Sequence, residues 1–404
     1  MDEILVLAHR LPYPPDKGEK IRSYHLLSGL AERYRVHLGC FVDAVEDRSH
    51  LDLVRRICGE THFATLNPWS VGLRAAGAVF GSTSMTQSVF RDRDLRRWAR
   101  RIAAQHRLRC ALAFSSAMAR YIDGDMGTAR RIVDFVDVDA EKWRRRAERT
   151  RPPHAWFYAR EANALAEHDR RAADHADACL FVSEVEAERF RRLAPQAGGK
   201  VQVLRNGVDT GYFSPERAYP NPYGEAGPIV AFTGTMGYWP NEEAAEWFAV
   251  EVMPRLRRRI PAIRFAVVGR EPSRRMRALG TRGDMIVTGA VPDVRPYLAH
   301  ANAVVAPLRV NLGVPNKILE GMAMAKPVVA TPDAVCGLSL SESEGVIVER
   351  DPQAFADAVA DLIASRERAA ELGARARHHA VERCTWSAVV DRLAAIVDGE
   401  AGRR

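Results

Sequence analysis

The segment from Leu312 to Met322 contains the residue types and spacing with the clearest chemical meaning. A proline there suits the first turn of a helix, where its missing N–H leaves no hydrogen bond unmade. The free amides at a helix start, together with the positive end of the helix dipole, favour an anion such as a diphosphate. Lys317 adds a positive charge, and Glu320 lies three residues later on the same helix face. The predicted helix start consists of Gly313, Val314, Pro315 and Asn316.

A carboxylate at Glu320 can accept two hydrogen bonds from the vicinal hydroxyls of a ribose. Lys317 and Glu320 together therefore indicate a site for a nucleotide diphosphate, with both groups supplied by one helix. The alternative interpretation is a surface helix on which the two side chains pair only with each other. The spacing is compatible with both interpretations.

A glycine in a basic loop follows the first predicted strand. Gly18 allows the backbone to approach a ligand closely, and Lys17, Lys20 and Arg22 surround it. The charge pattern by itself favours a solvated basic turn.

Three aspartates lie in and after the predicted strand Ile132–Val136, at positions 134, 137 and 139. A carboxylate at a strand end can act as a base toward an acceptor hydroxyl or can hold a sugar, and Asp137 is our first choice for this role. Three carboxylates also suit a hard cation, and each one can cap the following helix.

A basic stretch with adjoining aromatic residues runs from Arg144 to Arg160. Such a stretch can rest on an anionic lipid surface, which attracts each nearby basic residue by about 1 kcal/mol. The alternative is a solvated helix face whose aromatic side chains belong to the core. No recognisable nucleic-acid-binding module accompanies the stretch, so we expect no nucleic-acid partner.

Alternating strands and helices must position these candidate residues. Short apolar runs, each followed by a segment of helical period, form two series, which predicts two doubly wound parallel sheets of the α/β class. The segment 214–228, rich in proline and glycine, predicts a linker. We therefore predict an N-terminal domain at 1–213, a C-terminal domain at 229–384 and a helix in 385–404 that packs back on the N-terminal domain. The predicted strands are Ile4–Ala8, Val36–Val42, Ala111–Phe114, Ile132–Val136, Ala178–Val182, Ile229–Thr233, Phe265–Val268, Met285–Thr288, Ala303–Ala306 and Val328–Ala330.

The composition fits this organisation. The chain has 404 residues and a net charge of +8, a surplus that favours anionic partners. The six cysteines are widely spaced without a C-x-x-C pair, which is typical of free thiols in a reducing compartment. The start of the sequence lacks a signal-peptide pattern, and no apolar run reaches the length of a membrane span. We therefore expect a cytoplasmic protein that can meet the inner face of the plasma membrane peripherally.

Several strings resemble signatures of the family 4 retaining glycosyltransferases of the GT-B fold. Residues 319–329 (LEGMAMAKPVV) are similar to a nucleotide-binding signature of the form L-E-A-M-A-x-G-x-P-V-V. Three further strings, within 203–215, 232–241 and 267–269, are similar to other segments of the family. The resemblance implies two Rossmann-like domains that face a cleft, with the acceptor bound in the N-terminal domain and a nucleotide sugar in the C-terminal domain.

The same resemblance implies roles for particular residues. It places Gly234 in the turn of the donor site, and Lys17, Gly18 and Arg22 in a glycine loop near the acceptor. It also implies that no metal ion or other cofactor is required. More narrowly, residues 134–143 and the pair Asn316–Lys317 are similar to sugar transferases linked to bacterial exopolysaccharide and exosortase (PEP-CTERM type) systems.

The sequence departs from the family signature at three places. Leu312 stands where a second glutamate is usual. The basic pair that usually follows the first C-terminal turn is also missing, so the charge for the diphosphate must come from other residues. The candidates are Lys317, Arg270, Arg205 and Arg309. Ala325 replaces a glycine of the signature, which suits a backbone with φ below zero.

The leading prediction is a hexosyltransferase that moves a sugar from a UDP- or GDP-type donor to a glycan or polyprenyl-linked acceptor in exopolysaccharide or cell-surface glycan synthesis. The predicted catalytic residues are Asp137, Lys317 and Glu320. The alternatives are a nucleotide-sugar epimerase, which needs no acceptor, and a catalytically silent scaffold that binds nucleotide or membrane.

Overall fold

The computed structural model describes residues 1–16, 18–44, 46–66, 83–225, 227–310, 314–338 and 340–400, without the side chain of Arg282. Contacts between residues divide this part of the chain into two compact units. The first unit contains the described residues of 1–205 together with those of 389–404, and the second contains those of 206–388.

The first unit is built on a parallel sheet, which has seven strands in the described residues. These are β1 (Glu3–Ala8), β2 (Arg35–Val42), β3 (Thr61–Thr65), β4 (Leu108–Phe114), β5 (Arg130–Val136), β6 (Ala178–Phe181) and β7 (Val201–Val203). Their order is β3-β2-β1-β4-β5-β6-β7, so the direction of winding reverses between β1 and β4. The central strands are continuous buried apolar runs, as expected for a sheet covered on both faces.

Helices connect these strands. The long helix α7 (His154–His175) begins directly after the two prolines at 152 and 153 and packs against α6 (Asp139–Glu148), with which it forms a hairpin. The last helix, α17 (Trp386–Val397), packs in the first unit from Val389 onward. There Val390 contacts Gly29 of α1 (Gly18–Ala31). The helices are α1 (Gly18–Ala31), α2 (Leu51–Ile57), α3 (Met85–Val89), α4 (Arg93–Gln105), α5 (Ser116–Ala119), α6 (Asp139–Glu148), α7 (His154–His175), α8 (Glu184–Leu193) and α17 (Trp386–Val397).

The second unit contains a second parallel sheet, with six strands in the described residues. These are β8 (Ile229–Thr233), β9 (Arg264–Val268), β10 (Met285–Val287), β11 (Ala303–Ala306), β12 (Val328–Ala330) and β13 (Val346–Val348). Their order is β10-β9-β8-β11-β12-β13, with the reversal between β8 and β11. The connecting helices are α9 (Trp239–Trp247), α10 (Met253–Arg259), α11 (Arg274–Leu279), α12 (Arg295–Ala299), α13 (Asn316–Ala323), α14 (Pro332–Val335), α15 (Pro352–Ala364) and α16 (Arg366–Arg383).

The two doubly wound parallel sheets confirm the predicted fold class. All ten predicted strands are present with ends that shift by at most a few residues. Three strands at sheet edges, β3, β7 and β13, were not predicted from the sequence. Edge strands are short or carry polar side chains, so they lack the buried apolar run by which the central strands were recognised.

The end of α13 contradicts one expectation. Ala325 has a φ of +53°, although a value below zero was expected there. Its N–H donates to the carbonyl of Met322 at 3.0 Å, and the N–H of Lys326 donates to the carbonyl of Gly321 at 3.0 Å. This hydrogen-bond pair is the Schellman motif, which places the residue after the helix cap in the left-handed region that glycine adopts most easily.

We expect Ala325→Gly to raise the free energy of unfolding by about 1 kcal/mol. The left-handed region costs a non-glycine residue about 1–2 kcal/mol, which outweighs the greater freedom of glycine in the unfolded chain. Urea unfolding at pH 7 measures the change. The matched control is Ala374→Gly, an exposed position inside α16, which should lower the free energy of unfolding by about 1 kcal/mol. Equal destabilisation by both changes would contradict the argument.

Candidate functional site

The second unit places α13 where a ligand site is expected. In a doubly wound sheet, ligands bind beyond the carboxyl ends of the strands at the point where the strand order reverses. That point lies between β8 and β11, and α13 follows β11 along the chain. The loop before α13 contains residues 311–313, so the predictions for Leu312 and Gly313 lie outside the described residues.

Lys317 is buried beneath this edge of the sheet, with 7% of its surface exposed. Its Nζ donates to Oδ1 of Asn241 at 2.6 Å and lies 4.1 Å from the centroid of the Phe232 ring. The side-chain amide of Asn241 in turn donates to the carbonyl of Thr235 at 2.9 Å, which fixes its oxygen toward the lysine. Burial lowers the pKa of Lys317 to about 7, against a smaller raising effect of Glu320. Lys317 is thus a partly desolvated cation held at the end of β8.

Glycines at the ends of β8 and β9 leave room beside this lysine. Gly234 has a φ of +153°, and a Cβ added there would lie 3.1 Å from Nζ of Lys317. Gly269 has a φ of +147°, and a Cβ on it would lie 1.8 Å from the carbonyl oxygen of Gly234. Arg270 follows directly, and its carbonyl accepts a hydrogen bond from the N–H of Met236 at 2.8 Å. The structure therefore brings Gly234 to Lys317 and places Arg270 on the neighbouring strand end.

Glu320 is half-buried one turn further along α13. Burial raises its pKa to about 7, and the charge of Lys317 opposes this rise. Among the described residues its carboxylate accepts no hydrogen bond and forms no ion pair with Lys317 within 4.0 Å. The alternative interpretation, in which Lys317 and Glu320 pair only with each other on a surface helix, is therefore wrong for the described residues. Glu320 is a carboxylate that is partly removed from water and left with free acceptor capacity.

The described part of the helix start lies beside the same strand ends. Val314 is half-buried, and Pro315 has extended backbone angles immediately before the first helical residue. Oδ1 of Asn316 accepts a hydrogen bond from the side-chain amide of Asn206 at 3.2 Å. No side chain caps this helix start within the described residues, so its amides keep donor capacity for an anion. The contacts of Lys317 with Phe232 and with the side chain of Asn241 were not predicted from the sequence, because both residues lie far from Lys317 along the chain.

The N-terminal candidates lie in the first unit. Lys17 is outside the described residues. A Cβ added to Gly18 would meet no described atom within 4 Å, so the backbone there is open. The sequence predicts that Arg22 faces a ligand, but in the structure the residue is only 2% exposed. Its guanidinium binds the carboxylate of Asp134, with Nε 2.8 Å from Oδ2 and Nη2 3.2 Å from Oδ1. The contact of Arg22 with an acceptor stays a prediction.

Asp137 lies directly after β5 and is partly buried. Its Oδ2 accepts a hydrogen bond from Nζ of Lys142 at 2.9 Å, and Lys142 also pairs with Asp139 at 2.8 Å. Burial is the main reason that the pKa of Asp137 rises to about 6, while Lys142 lowers it. A further carboxyl group in this region, Asp169 on α7, is 2% exposed, and burial raises its pKa to about 8. Nothing in the helical pattern of α7 had distinguished Asp169 from a surface residue.

The three aspartates in and after β5 are each paired with a cation of the protein. Asp134 binds Arg22, while Asp137 and Asp139 share Lys142. A separate group, Glu3, His37 and His106, has ligand atoms within 4.8 Å of one another. Nδ1 of His37 accepts from the backbone N–H of residue 60 at 3.2 Å, so the ring proton is on Nε2, where a metal would have to bind. This group lies at the amino ends of β1 and β2 and is better described as a polar network.

The hairpin of α6 and α7 exposes basic and aromatic side chains. Trp156 is 65% exposed, whereas Trp143 and Tyr158 pack together with ring centroids 5.6 Å apart. The exposed charged residues near the tip include Arg144, Arg146, Arg149 and Arg151. Along the described part of the chain, none of the helices is both long and apolar enough to span a bilayer.

Solved structures identify the fold. The chain is similar to sucrose-phosphate synthase from Thermosynechococcus elongatus, with a TM-score of 0.72 and 16% identity over all of both chains. It is also similar to HepE of Anabaena in complex with UDP and glucose, with a TM-score of 0.70 and 13% identity over 99% of this chain and all of the other. The two Rossmann-like units and these similarities show the GT-B fold.

Sequence comparisons indicate the class of protein that the chain resembles. Residues 227–365 match the family model described as Glycosyl transferases group 1. A curated relative is the GDP-mannose-dependent alpha-(1-6)-phosphatidylinositol monomannoside mannosyltransferase of Mycolicibacterium smegmatis, 29% identical over 260 residues. This match covers 58% of the present chain and 65% of the length of the relative. The segment that matches the glycosyltransferase model lies within the second unit and includes Lys317 and Glu320.

Proposed function

We propose that the protein is a glycosyltransferase of family 4 type that moves a hexose from a nucleotide diphosphate sugar to a hydroxyl of a glycan or lipid-linked acceptor. The observation that carries the proposal is the arrangement on α13 at the switch point of the second sheet. Lys317 offers a charge for the diphosphate, and Glu320 offers the ribose a carboxylate that accepts no hydrogen bond from the described residues. The match of residues 227–365 to the glycosyltransferase model supports it.

In this proposal the second unit stabilises the departing nucleotide diphosphate. Negative charge develops on the phosphate oxygens when the bond to the sugar breaks, and a fixed cation and helix amides lower that barrier most when they are already in place. Contacts of Nζ with Asn241 and the Phe232 ring hold the Lys317 side chain in place. We further propose a metal-independent reaction, because side chains and amides supply the positive field at this site. We propose that it is retaining on the resemblance to the family 4 transferases.

A GDP- or UDP-type sugar fits the proposal best. The mycobacterial relative is named for GDP-mannose and a phosphatidylinositol mannoside, and the Anabaena neighbour is described with UDP and glucose. We propose a related role in bacterial exopolysaccharide or cell-surface glycan synthesis, on the cytoplasmic side of the plasma membrane.

Purified protein incubated with UDP- and GDP-sugars tests the central proposal. Nucleotide release that increases when alkyl glycosides such as octyl mannoside or octyl glucoside are added is the expected result. Binding without release would instead support the silent-scaffold alternative, and release of an epimerised nucleotide sugar would support the epimerase. Absence of binding to every donor would exclude the proposal.

We also propose that the α6–α7 hairpin rests on an anionic membrane surface. Residues 144–160 contain six arginines and one glutamate, and exposed Trp156 suits the lipid headgroup region. Trp156→Ala and Arg151→Glu should each reduce binding to phosphatidylglycerol vesicles in a sedimentation assay. The charge reversal removes one attraction and adds one repulsion, about 2 kcal/mol in total, so it should lower the binding constant roughly 30-fold. Arg383→Glu, on α16 of the second unit, is the matched control. Undiminished binding by both hairpin variants would contradict the proposal.

A further inference from the structure

Two neighbouring strands of the first sheet end in left-handed residues that are not glycine. Ser115, directly after β4, has a φ of 76°, and Val136, the last residue of β5, has a φ of 67°. The strands pair in parallel with Phe114 opposite Asp134. A β-branched residue such as Val136 is a genuine outlier in this region. Such strain persists only where the surroundings impose it, and it clusters at functional sites.

A buried ion pair imposes the conformation of Val136. The N–H of Val136 donates to Oδ1 of Asp134 at 3.2 Å, and Arg22 binds both oxygens of that same carboxylate. On the other side, the carbonyl of Val136 accepts from the N–H of Val182 at 2.9 Å. Nη1 of Arg22 also donates to the carbonyl of Arg205 at 3.2 Å. The strained residue is therefore held from both sides by groups in the core of the unit.

At Val136 the chain turns away from the direction of β5, so Asp137 does not continue the strand. The N–H of Asp137 donates to the carbonyl of Phe135 at 2.8 Å, which closes a three-residue turn around Val136. The pairing of β5 with β6 shifts register at the same place. Immediately beyond, the N–H of Val138 donates to buried Glu186 at 2.8 Å. The backbone on both sides of Asp137 is thus fixed, and Lys142 holds its Oδ2 at 2.9 Å.

Only one oxygen of the Asp137 carboxylate has a hydrogen-bond partner among the described residues, which is Oδ2 bound to Lys142. The side chain of Asp137 keeps 12% exposure, and its Oδ1 is buried without a hydrogen-bond partner among the described residues. A buried acceptor without a partner is destabilising, and such exceptions call for an explanation. A carboxyl group that is held at a cost, at the carboxyl end of a strand next to the switch-point strands, is typical of a binding group.

We propose that the Arg22–Asp134 pair and the turn at Val136 are a device that positions Asp137 to bind a hydroxyl group of the acceptor sugar. The inference rests on the proposed glycosyltransferase function and assigns the substrate of this site as a neutral, hydroxyl-bearing sugar. Asp137 contacts the acceptor. Arg22, Asp134 and Val136 act through Asp137 and are positioning residues.

Two activities separate acceptor binding from donor binding. Transfer from the nucleotide sugar to an octyl glycoside requires the acceptor site, whereas slow hydrolysis of the same donor by water requires only the donor site. Asp137→Asn should lower kcat/KM for the octyl glycoside by about 10- to 100-fold, because a hydrogen bond to a charged group is lost. It should leave donor hydrolysis within about twofold of the wild type. Asp139→Asn, which also removes a partner of Lys142, is the matched control and should transfer normally.

A rescue experiment tests the positioning role. The double variant Arg22→Met, Asp134→Asn replaces the ion pair with uncharged side chains of similar volume. It therefore leaves no unpaired charge in the core. We expect it to lower acceptor kcat/KM at least about tenfold, because Val136 can then relax to a negative φ and displace Asp137. Adding Val136→Gly should restore at least half of the lost activity, since glycine adopts the turn without strain.

The outcomes distinguish this inference from the function on which it rests. Normal acceptor kinetics for Asp137→Asn, or equal loss of transfer and hydrolysis, would overturn the inference alone. So would normal transfer by the ion-pair variant, or failure of Val136→Gly to restore it. If the ion-pair variant does not fold, Asp137→Asn remains decisive for the binding role. A wild-type protein that releases nucleotide from no donor would overturn both the inference and the proposed function.

Discussion

Lys317→Met is expected to abolish most nucleotide binding and sugar transfer while the protein stays folded. Lys317 is the buried cation at the end of β8, and methionine keeps its length without its charge. Loss of charge-assisted hydrogen bonds to a diphosphate removes about 3 kcal/mol, or roughly 100-fold in affinity. Calorimetric titration with UDP and GDP measures the effect. Near-normal affinity in this variant would contradict the proposed donor site.

The stability of this variant follows from the direction of the pKa shift. Burial lowers the pKa of Lys317 from 10.5 to about 7, so the folded protein favours the neutral lysine. Its contribution to stability is therefore fully present above pH 10.5 and is lost as the pH falls toward 7. Methionine has no charge to bury, so the variant should be at least as stable as the wild type at pH 7 in urea unfolding.

Lys326→Met is the matched control for this prediction. Burial also lowers the pKa of Lys326, and its Nζ donates to the carbonyl of Ala299. It lies beyond the opposite end of α13 from the predicted anion site. This variant should bind UDP and GDP as the wild type does, which separates the loss of a phosphate contact from the general effect of removing a buried lysine.

Glu320→Gln is expected to lower the affinity for nucleotides about tenfold or more. It should also remove the preference of the protein for ribonucleotides over 2′-deoxyribonucleotides. A carboxylate can accept hydrogen bonds from both vicinal hydroxyls, whereas the amide offers one acceptor and a mismatched donor. Comparing GDP with 2′-deoxy-GDP in the wild type and the variant gives a double cycle that isolates the contact. If both proteins discriminate equally between the ligands, Glu320 does not bind the ribose.

The pH dependence of binding provides a second readout for Glu320. Its pKa is raised from 4.5 to about 7, so the ionised form that accepts hydrogen bonds is lost as the pH falls below 7. Lys317 loses its proton above about 7, so wild-type affinity should be highest near pH 7. Glu320→Gln should remove the acidic decline and keep the alkaline one. It should also be the more stable protein above pH 7, because the ionised carboxylate is the disfavoured form in the folded state.

Glu246→Gln is the matched control for the glutamate. Burial also raises the pKa of Glu246, and its partner is Arg275 at 3.0 Å. No residue of the predicted donor site contacts it among the described residues, so binding and its pH dependence should not change. A change as large as that of Glu320→Gln would show that burial of a carboxylate, rather than ribose contact, underlies the effect.

The fold class and the location of the donor helix could be predicted from the sequence because they depend on local patterns. Central strands of parallel sheets are continuous apolar runs, and alternation with helical segments specifies a doubly wound topology. The spacing of Lys317 and Glu320 placed both on one face of a helix after β11. Edge strands such as β3 escaped prediction because their residues are not buried on both faces.

The burial and the contacts of each candidate side chain depend on residues that are remote in the sequence. Lys317 meets Asn241 and Phe232, 76 and 85 positions earlier, and only the sheet brings β8 beside α13. Arg22 turned inward because Asp134, 112 positions later, supplies its charge partner inside the core. The left-handed Val136 and Ala325 could not be read from residue type, since both are residues that ordinarily avoid that region.

The sequence by itself therefore determined two α/β sheets, the helix after β11 and the residue types that a nucleotide diphosphate requires. Tertiary structure alone decided that Lys317 and Glu320 are partly desolvated and separate, that Arg22 is a structural partner, and that a strained turn holds Asp137. The physical reason is that periodicity and helix spacing are local properties. Burial, charge pairing and imposed backbone strain arise only when distant segments pack together.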